Sequence, residues 1–123
     1  MKTNKLIMIL LFTLILGCNK RSKQSGVQKL VRFKNKNMTE KAICNVIIKL
    51  NESNDSVNGY KFIDSLIRYN GNTGFIYFEE GMIDNYYSHF TKSIEDFKKA
   101  QEFHYSERKC QIMINVSKSM MNP

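Results

Sequence analysis

The stretch FIYFEEG, Phe75–Gly81, decides the fold class, because its residues suit either a strand or a short buried helix. A strand must pair its backbone N–H and C=O groups with a neighbouring strand. The rest of the chain has mostly helical periodicity and offers no clear partner strand. We therefore predict helix for residues 75–80, and a strand remains the alternative.

Helical periodicity continues on both sides of this stretch. Upstream, one helix is expected to begin near Asn37, and a second to end at the turn residues 70–74. Downstream, a long helix is predicted that could be interrupted near Thr91, and Ser106 is the expected N-cap of the last helix. The downstream stripe consists of Ile83, Tyr87, Phe90, Ile94 and Phe97. The sequence thus predicts an all-α fold, a small bundle of about four to five helices over residues 37–123.

Residues 1–17 have the layout of a secretory signal peptide, with Lys2 and Lys5 before the apolar run Leu6–Leu16. At roughly 1.5 Å per residue this run covers only about half of a ~30 Å bilayer core. The end of the run, Ile15-Leu16-Gly17-Cys18, resembles the lipobox of bacterial lipoproteins. The resemblance implies a lipid on Cys18 and a protein anchored in the bacterial cell envelope, facing the periplasm. The alternative is an ordinary signal peptide with a cysteine by chance.

The net charge of +8 is concentrated near the N-terminus. Residues 20–41 carry eight Lys or Arg against the single acidic Glu40, whereas residues 42–123 carry nine Lys or Arg and ten Asp or Glu. This distribution argues against nucleic acid as a partner. Residues 18–36 are predicted to be a flexible basic tether behind the lipidated cysteine, either a solvated spacer or a segment that adheres to anionic phospholipid.

The remaining cysteines, Cys44 and Cys110, fall on or beside the core stripes of the first and last helices. In an exported protein the default interpretation of such a pair is a disulfide, which would staple the bundle. The alternative is two buried free thiols. No Cys or His lies at ligand spacing from either residue, so we predict no metal there.

The sequence contains few residues in an arrangement that suits catalysis. His89 and His104 are the only histidines, and each is expected at a helix end or beside the core. The acidic residues Glu79, Glu80 and Asp84 are interpreted as a solvated helix face. We therefore predict no enzyme activity, no catalytic residue, no cofactor and no metal. The aromatic residues of this region are assigned to the core: Phe75, Tyr77, Phe78, Tyr86 and Tyr87.

Three segments carry a resemblance to a known family: Lys41-Ala42-Ile43-Cys44, the run Gly74–Glu79, and Arg108-Lys109-Cys110 at the start of the last helix. Together with the helix order they resemble the immunity proteins that protect bacteria from type VI secreted peptidoglycan amidases. The resemblance covers roughly residues 38–121. It implies a homodimer that binds its cognate amidase effector in the periplasm and blocks the Cys-His active site with a protruding loop.

Two polar loops are the candidates for that contact. The partner-binding residues predicted from them are Asn51, Ser53, Asn54 and Asp55 in the first loop and Asn70, Asn72 and Thr73 in the second. An inhibitor needs a rigid scaffold and a presented loop, which such a domain could provide. The competing hypothesis is an envelope-structural or assembly lipoprotein with another partner.

Overall fold

A computed structural model of the chain describes residues 29–122. The strands are β1, Leu30–Phe33, and β2, Lys36–Thr39; the helices are α1, Glu40–Glu52; α2, Ser56–Asn70; α3, Gly74–Tyr86; α4, Phe90–Glu102; and α5, Glu107–Met121. The mostly helical class is confirmed, although the all-α prediction did not include the two-stranded hairpin, and the helix predicted for residues 75–80 is confirmed. Within residues 29–122 no helix combines the length and the apolar character needed to cross a membrane.

Residues 30–36, predicted as part of the tether, are folded. β1 pairs antiparallel with β2, with Leu30 opposite Thr39 and Phe33 opposite Lys36. The hairpin is stable because its apolar side chains find a partner in α2, where the rings of Phe33 and Phe62 meet edge to face at 5.0 Å. The folded unit therefore begins earlier than the predicted boundary at residue 37. Cys18, the signal peptide of residues 1–17 and residues 19–28 of the tether lie outside the described residues.

Side-chain caps set most of the helix starts. Thr39, Asp55, Thr73 and Ser106 each accept a hydrogen bond from the backbone N–H three residues further on. These bonds satisfy donors that the first turn of a helix leaves unpaired. The N-cap predicted at Ser106 is confirmed. The cap predicted near Asn37 is wrong, because Asn37 lies in β2, and Thr39 takes that role.

The long downstream helix is two helices, α3 and α4. The chain turns at Tyr87–His89, where Ser88 has a φ of 66°, so the break comes slightly before Thr91. α4 then folds back on α3, and both ends of the predicted stripe, Ile83 and Phe97, still lie in the core. Tyr87 and Ile94 are half-buried against that core, so four of the five predicted stripe positions are core positions, and the interruption foreseen near Thr91 divides the stripe between two helices.

α3 is the central helix of the fold. It packs against α1, α2 and α4, and its residues are buried on nearly every side. Among the predicted core aromatics, Phe75, Phe78 and Tyr86 are buried, and Tyr77 and Tyr87 are half-buried against the same core. Gly81 lets α4 approach closely, since a Cβ there would lie 2.8 Å from the Phe97 ring.

Two glycines in helix interiors provide a matched test of this packing. At Gly59 an added Cβ would meet only Ile83 Cδ1, at an ordinary 3.8 Å, so Gly59→Ala should raise the free energy of unfolding by about 0.5–1 kcal/mol through helix propensity. Gly81→Ala has the same propensity gain but overpacks Phe97, which costs about 1–3 kcal/mol. Urea unfolding should therefore give shifts of opposite sign. Two shifts of the same sign would contradict the close approach of α3 and α4.

Candidate functional site

Three carboxylates from two helices meet beside the turn between α3 and α4. Glu80 and Asp84 come from α3 and Asp96 from α4, and one oxygen of each lies within 4.8 Å of the others. We call these three residues the acidic cluster. Asp84 is 0% exposed and Asp96 is 4% exposed. The prediction that Glu79, Glu80 and Asp84 form a solvated face is wrong, because α3 is covered on nearly every side and Glu79 is fully buried as well.

A polar network surrounds Asp84. The hydroxyl of Tyr60 on α2 donates to Asp84 Oδ1 at 2.5 Å, and the same hydroxyl lies 3.3 Å from His89 Nδ1. The ammonium of Lys92 reaches Glu80 Oε1 at 3.1 Å and Asp84 Oδ2 at 3.4 Å. Three helices and the α3–α4 turn thus contribute to one site, in which a single lysine faces three carboxylates.

The electrostatics of this network follow from burial and from the density of negative charge. Burial, the adjacent Asp84 carboxyl and the charge of Glu80 raise the pKa of Asp96 well above its usual range. Burial and the same Asp84 carboxylate also raise the pKa of Tyr60, which therefore stays protonated and donates. Burial works to lower the pKa of Lys92, but its bond to Glu80 and the charge of Asp84 outweigh this, and the net shift is upward. Lys92 is accordingly charged.

A second buried carboxylate lies one residue away on another face of α3. Glu79 accepts a hydrogen bond on Oε1 from the Cys44 thiol at 3.1 Å, while its Oε2 is buried without a partner among the described residues. Burial raises the pKa of Glu79 from the ordinary 4.5 to about 7. Ionisation of Glu79 would therefore lower the stability of the fold, because its charge would be buried with little compensation.

The predicted disulfide is absent, and both cysteines are free and buried. The Cys44 thiol is directed at Glu79 on α3, and the Cys110 thiol donates to the backbone oxygen of Tyr105 at 3.5 Å. Burial raises the pKa of both thiols, that of Cys110 to about 11, so neither is a thiolate nucleophile at neutral pH. The alternative of two buried free thiols is what the structure contains.

The residues predicted for partner contact in the first loop mostly stabilise the chain itself. Asn51 is buried, Ser53 donates to the Lys49 carbonyl, and Asp55 caps α2. Asn54 is exposed and adopts a φ of 54°, as a residue in a tight turn does. These contacts fix the loop, and Ser53 and Asn54 are exposed on it.

The second predicted loop, residues 70–73, lies in a surface depression. Asn70 joins the hairpin to α2: its Nδ2 donates to the Arg32 carbonyl at 2.7 Å, and its Oδ1 accepts from the Arg32 N–H at 2.8 Å. Thr73 caps α3, and Asn72 is exposed. Asn70 and Thr73 therefore hold the loop in place, and Asn72 is the predicted residue that is free to reach outward.

The depression has a volume of about 340 Å³ and lies between the hairpin, the loop and the turn that joins α4 to α5. We call it the hairpin concavity. Two large apolar side chains at its edge are exposed, Leu30 at 62% and Phe103 at 52%. Beneath the turn, Gly74 permits close contact, since a Cβ there would lie 2.7 Å from Tyr105 Cβ. The turn itself places His104 at a φ of 60°, exposed at the same edge.

Sequence reasoning missed Tyr60, Lys92 and Asp96 in the acidic cluster, and Leu30 and Phe103 at the concavity. One signal was present: the buried positions of α4 are Ser93, Asp96, Phe97 and Ala100, and a charged residue stands among them. A charge at an inner helical position indicates a buried polar site. Comparisons of the chain with models of protein families, with curated proteins and with solved structures found no match.

Proposed function

We propose that the chain is a lipid-anchored envelope protein that binds a protein partner through the hairpin concavity. The proposed partner is a peptidoglycan amidase effector, which this protein would inhibit as an immunity protein by covering its active site. The lipobox-like end of the leader supports the location, and the three family-like segments support the partner class. The exposure of Leu30 and Phe103 at one edge supports the choice of surface.

That exposure is the single observation that carries the proposal. An apolar side chain alone on a surface is ordinary, but two large ones beside a depression match the composition of protein interfaces. The ring of Phe103 also contacts Tyr77, at 5.4 Å between ring centroids, which holds it in a defined position. A fixed aromatic at the edge of a depression is the kind of residue that dominates binding energy.

The segments around the concavity are anchored by close contacts, as an inhibitor requires. Asn70 fixes the hairpin to α2, and the close contact at Gly74 fixes the α4–α5 turn on α3. Leu30 and Phe103 are therefore presented from two separately anchored segments. Little conformational entropy would be lost when a partner closes over them.

We expect Phe103→Glu and Leu30→Glu to abolish protection while leaving the fold intact, because each places a charge in the proposed contact without changing a buried residue. The assay is co-expression of each variant with the product of the neighbouring gene in the periplasm, scored by cell lysis. Ile112→Glu is the matched control, since Ile112 is 40% exposed but lies on α5 beside Gln111 and Asn115, on a separate surface. Protection should fail for the first two variants and persist for the control.

Two outcomes would contradict the proposal. Full protection by Phe103→Glu would exclude the concavity as the contact surface. A harmless neighbouring protein, with wild type still in the membrane fraction, would favour the envelope-structural or assembly lipoprotein instead. The proposed homodimer is tested separately, by sedimentation of wild type and the Phe103→Glu variant.

A further inference from the structure

We propose that the acidic cluster binds a divalent cation through the carboxylates of Glu80, Asp84 and Asp96. The three residues belong to two helices that pack directly against each other, so the protein positions the oxygens before any ion arrives. Their contributing atoms lie within 4.8 Å of one another, and three oxygens at that spacing leave a common point within reach of a metal–oxygen bond. This inference is independent of the proposed partner.

A second observation comes from the individual oxygens. Asp84 is fully buried and Asp96 is 4% exposed, yet Asp96 Oδ2 has no hydrogen-bond partner among the described residues, and Asp84 Oδ2 has only the Lys92 ammonium at 3.4 Å. A buried carboxylate oxygen that lacks a donor is costly to the fold. Because one partly exposed lysine faces three carboxylates, the neighbouring Asp84 and Asp96 must share either a proton or a further cation. A divalent cation would satisfy both oxygens and compensate their charge.

Lys92 marks the position that a cation would occupy. Its ammonium lies 3.1 Å from Glu80 Oε1 and 3.4 Å from Asp84 Oδ2, but its side chain is 52% exposed and can turn into solvent. The lysine therefore acts as a weak internal competitor. Tyr60 fixes the remaining Asp84 oxygen by hydrogen bonding and so keeps the opposite oxygen directed at the cluster.

The donor set determines the class of ion. Carboxylate oxygens are hard ligands, and they select Ca²⁺, Mg²⁺ or Mn²⁺ over softer metals. No cysteine belongs to the cluster, and the closest ring nitrogen, His89 Nδ1, lies 3.6 Å from Asp84 Oδ1. Water would complete the coordination on the side of Lys92, which faces solvent.

The test is calorimetric titration of the chelator-treated full chain with CaCl₂, MgCl₂ and MnCl₂, supported by the electron paramagnetic resonance signal of bound Mn²⁺. Wild type should bind one ion saturably in the millimolar range or tighter. Asp96→Asn should weaken binding by roughly 10- to 100-fold, as the loss of an important coordinating group does. Lys92→Gln should tighten it by about tenfold, because the competing ammonium is gone.

Glu95→Gln is the control for charge alone, since Glu95 precedes Asp96 on α4 but is exposed. It should bind like wild type. Circular dichroism of every variant verifies that the helices remain. Absence of saturable binding by both wild type and Lys92→Gln would overturn the proposal and leave a shared proton between Asp84 and Asp96. Equal weakening by Asp96→Asn and Glu95→Gln would also overturn it, because binding would then follow net charge.

Discussion

Replacing Glu79 with glutamine is expected to stabilise the fold by on the order of 3 kcal/mol at pH values above about 8. The reason is that Glu79 is fully buried and its pKa rises from 4.5 to about 7 in the folded chain. Below pH 4.5 Glu79 is protonated in both the folded and the unfolded chain, so its burial causes no loss of stability. Between 4.5 and about 7 the unfolded chain releases a proton that the native chain keeps, so the free energy of unfolding falls as pH rises.

Above about pH 7 the free energy of unfolding stops falling, because Glu79 is then ionised in both states. Glu79→Gln removes this pH-dependent loss of stability, because a neutral amide titrates in neither state. Urea unfolding of wild type and variant across this range, in a buffer with chelator, measures the difference. Asp96 also has a raised pKa, so both curves keep some decline with pH, and only their separation reports Glu79. Glu102→Gln on an exposed part of α4 should track wild type. Parallel curves for wild type and Glu79→Gln would show that Glu79 is not the buried titrating group.

The other large effect is expected at Phe97, the buried ring that joins α4 to α3. It is fully buried, contacts Phe78 at 5.3 Å between centroids, and covers Gly81. Phe97→Ala should cost about 3–5 kcal/mol in the free energy of unfolding, a large share of the total for a domain of this size. The exposed neighbour Lys98 provides the control, since Lys98→Ala should change stability by less than about 0.5 kcal/mol.

A double-mutant cycle identifies the cause. Gly81→Ala destabilises wild type because its new methyl group meets the Phe97 ring, so in the Phe97→Ala background the same substitution should stabilise. Where the Phe97→Ala chain does not fold, Phe97→Leu allows the same cycle at a smaller cost. Additive effects of the two substitutions would refute the contact.

Much of the fold could be predicted because periodicity and capping are local properties of the sequence. Four of the five stripe positions between Ile83 and Phe97 lie in or against the core, and Ser106 was recognisable as an N-cap. The break at Ser88 could not be placed accurately, because a single residue with positive φ leaves the apolar spacing almost unchanged. The hairpin was missed since each strand has only four residues, too few to establish a period of two.

The disulfide and the acidic cluster were misjudged for a different reason. A stripe places a cysteine on an inner face but does not give the direction of its thiol, and Cys44 faces Glu79. Glu80 and Asp84 were assigned to solvent because charged residues are usually exposed. The neighbouring residues of α3 carried the opposite signal, since a helix that is apolar on all sides is a buried one. The lipid anchor, the immunity role and the partner remain predictions.

The hairpin also determines how the domain would respond to tension. The residues at which the chain enters and leaves it, Leu30 and Thr39, are paired side by side. For a chain held at Cys18, a pull from the membrane would load that pair first and open the hairpin one hydrogen bond at a time, until the two hydrogen bonds between Asn70 and Arg32 resist. Release of the hairpin would lengthen the tether by about ten residues of roughly 3.3 Å each, while the five helices stay folded. Because Leu30 belongs to the hairpin concavity, the same release would dismantle the proposed binding surface, so mechanical load would oppose the proposed partner binding.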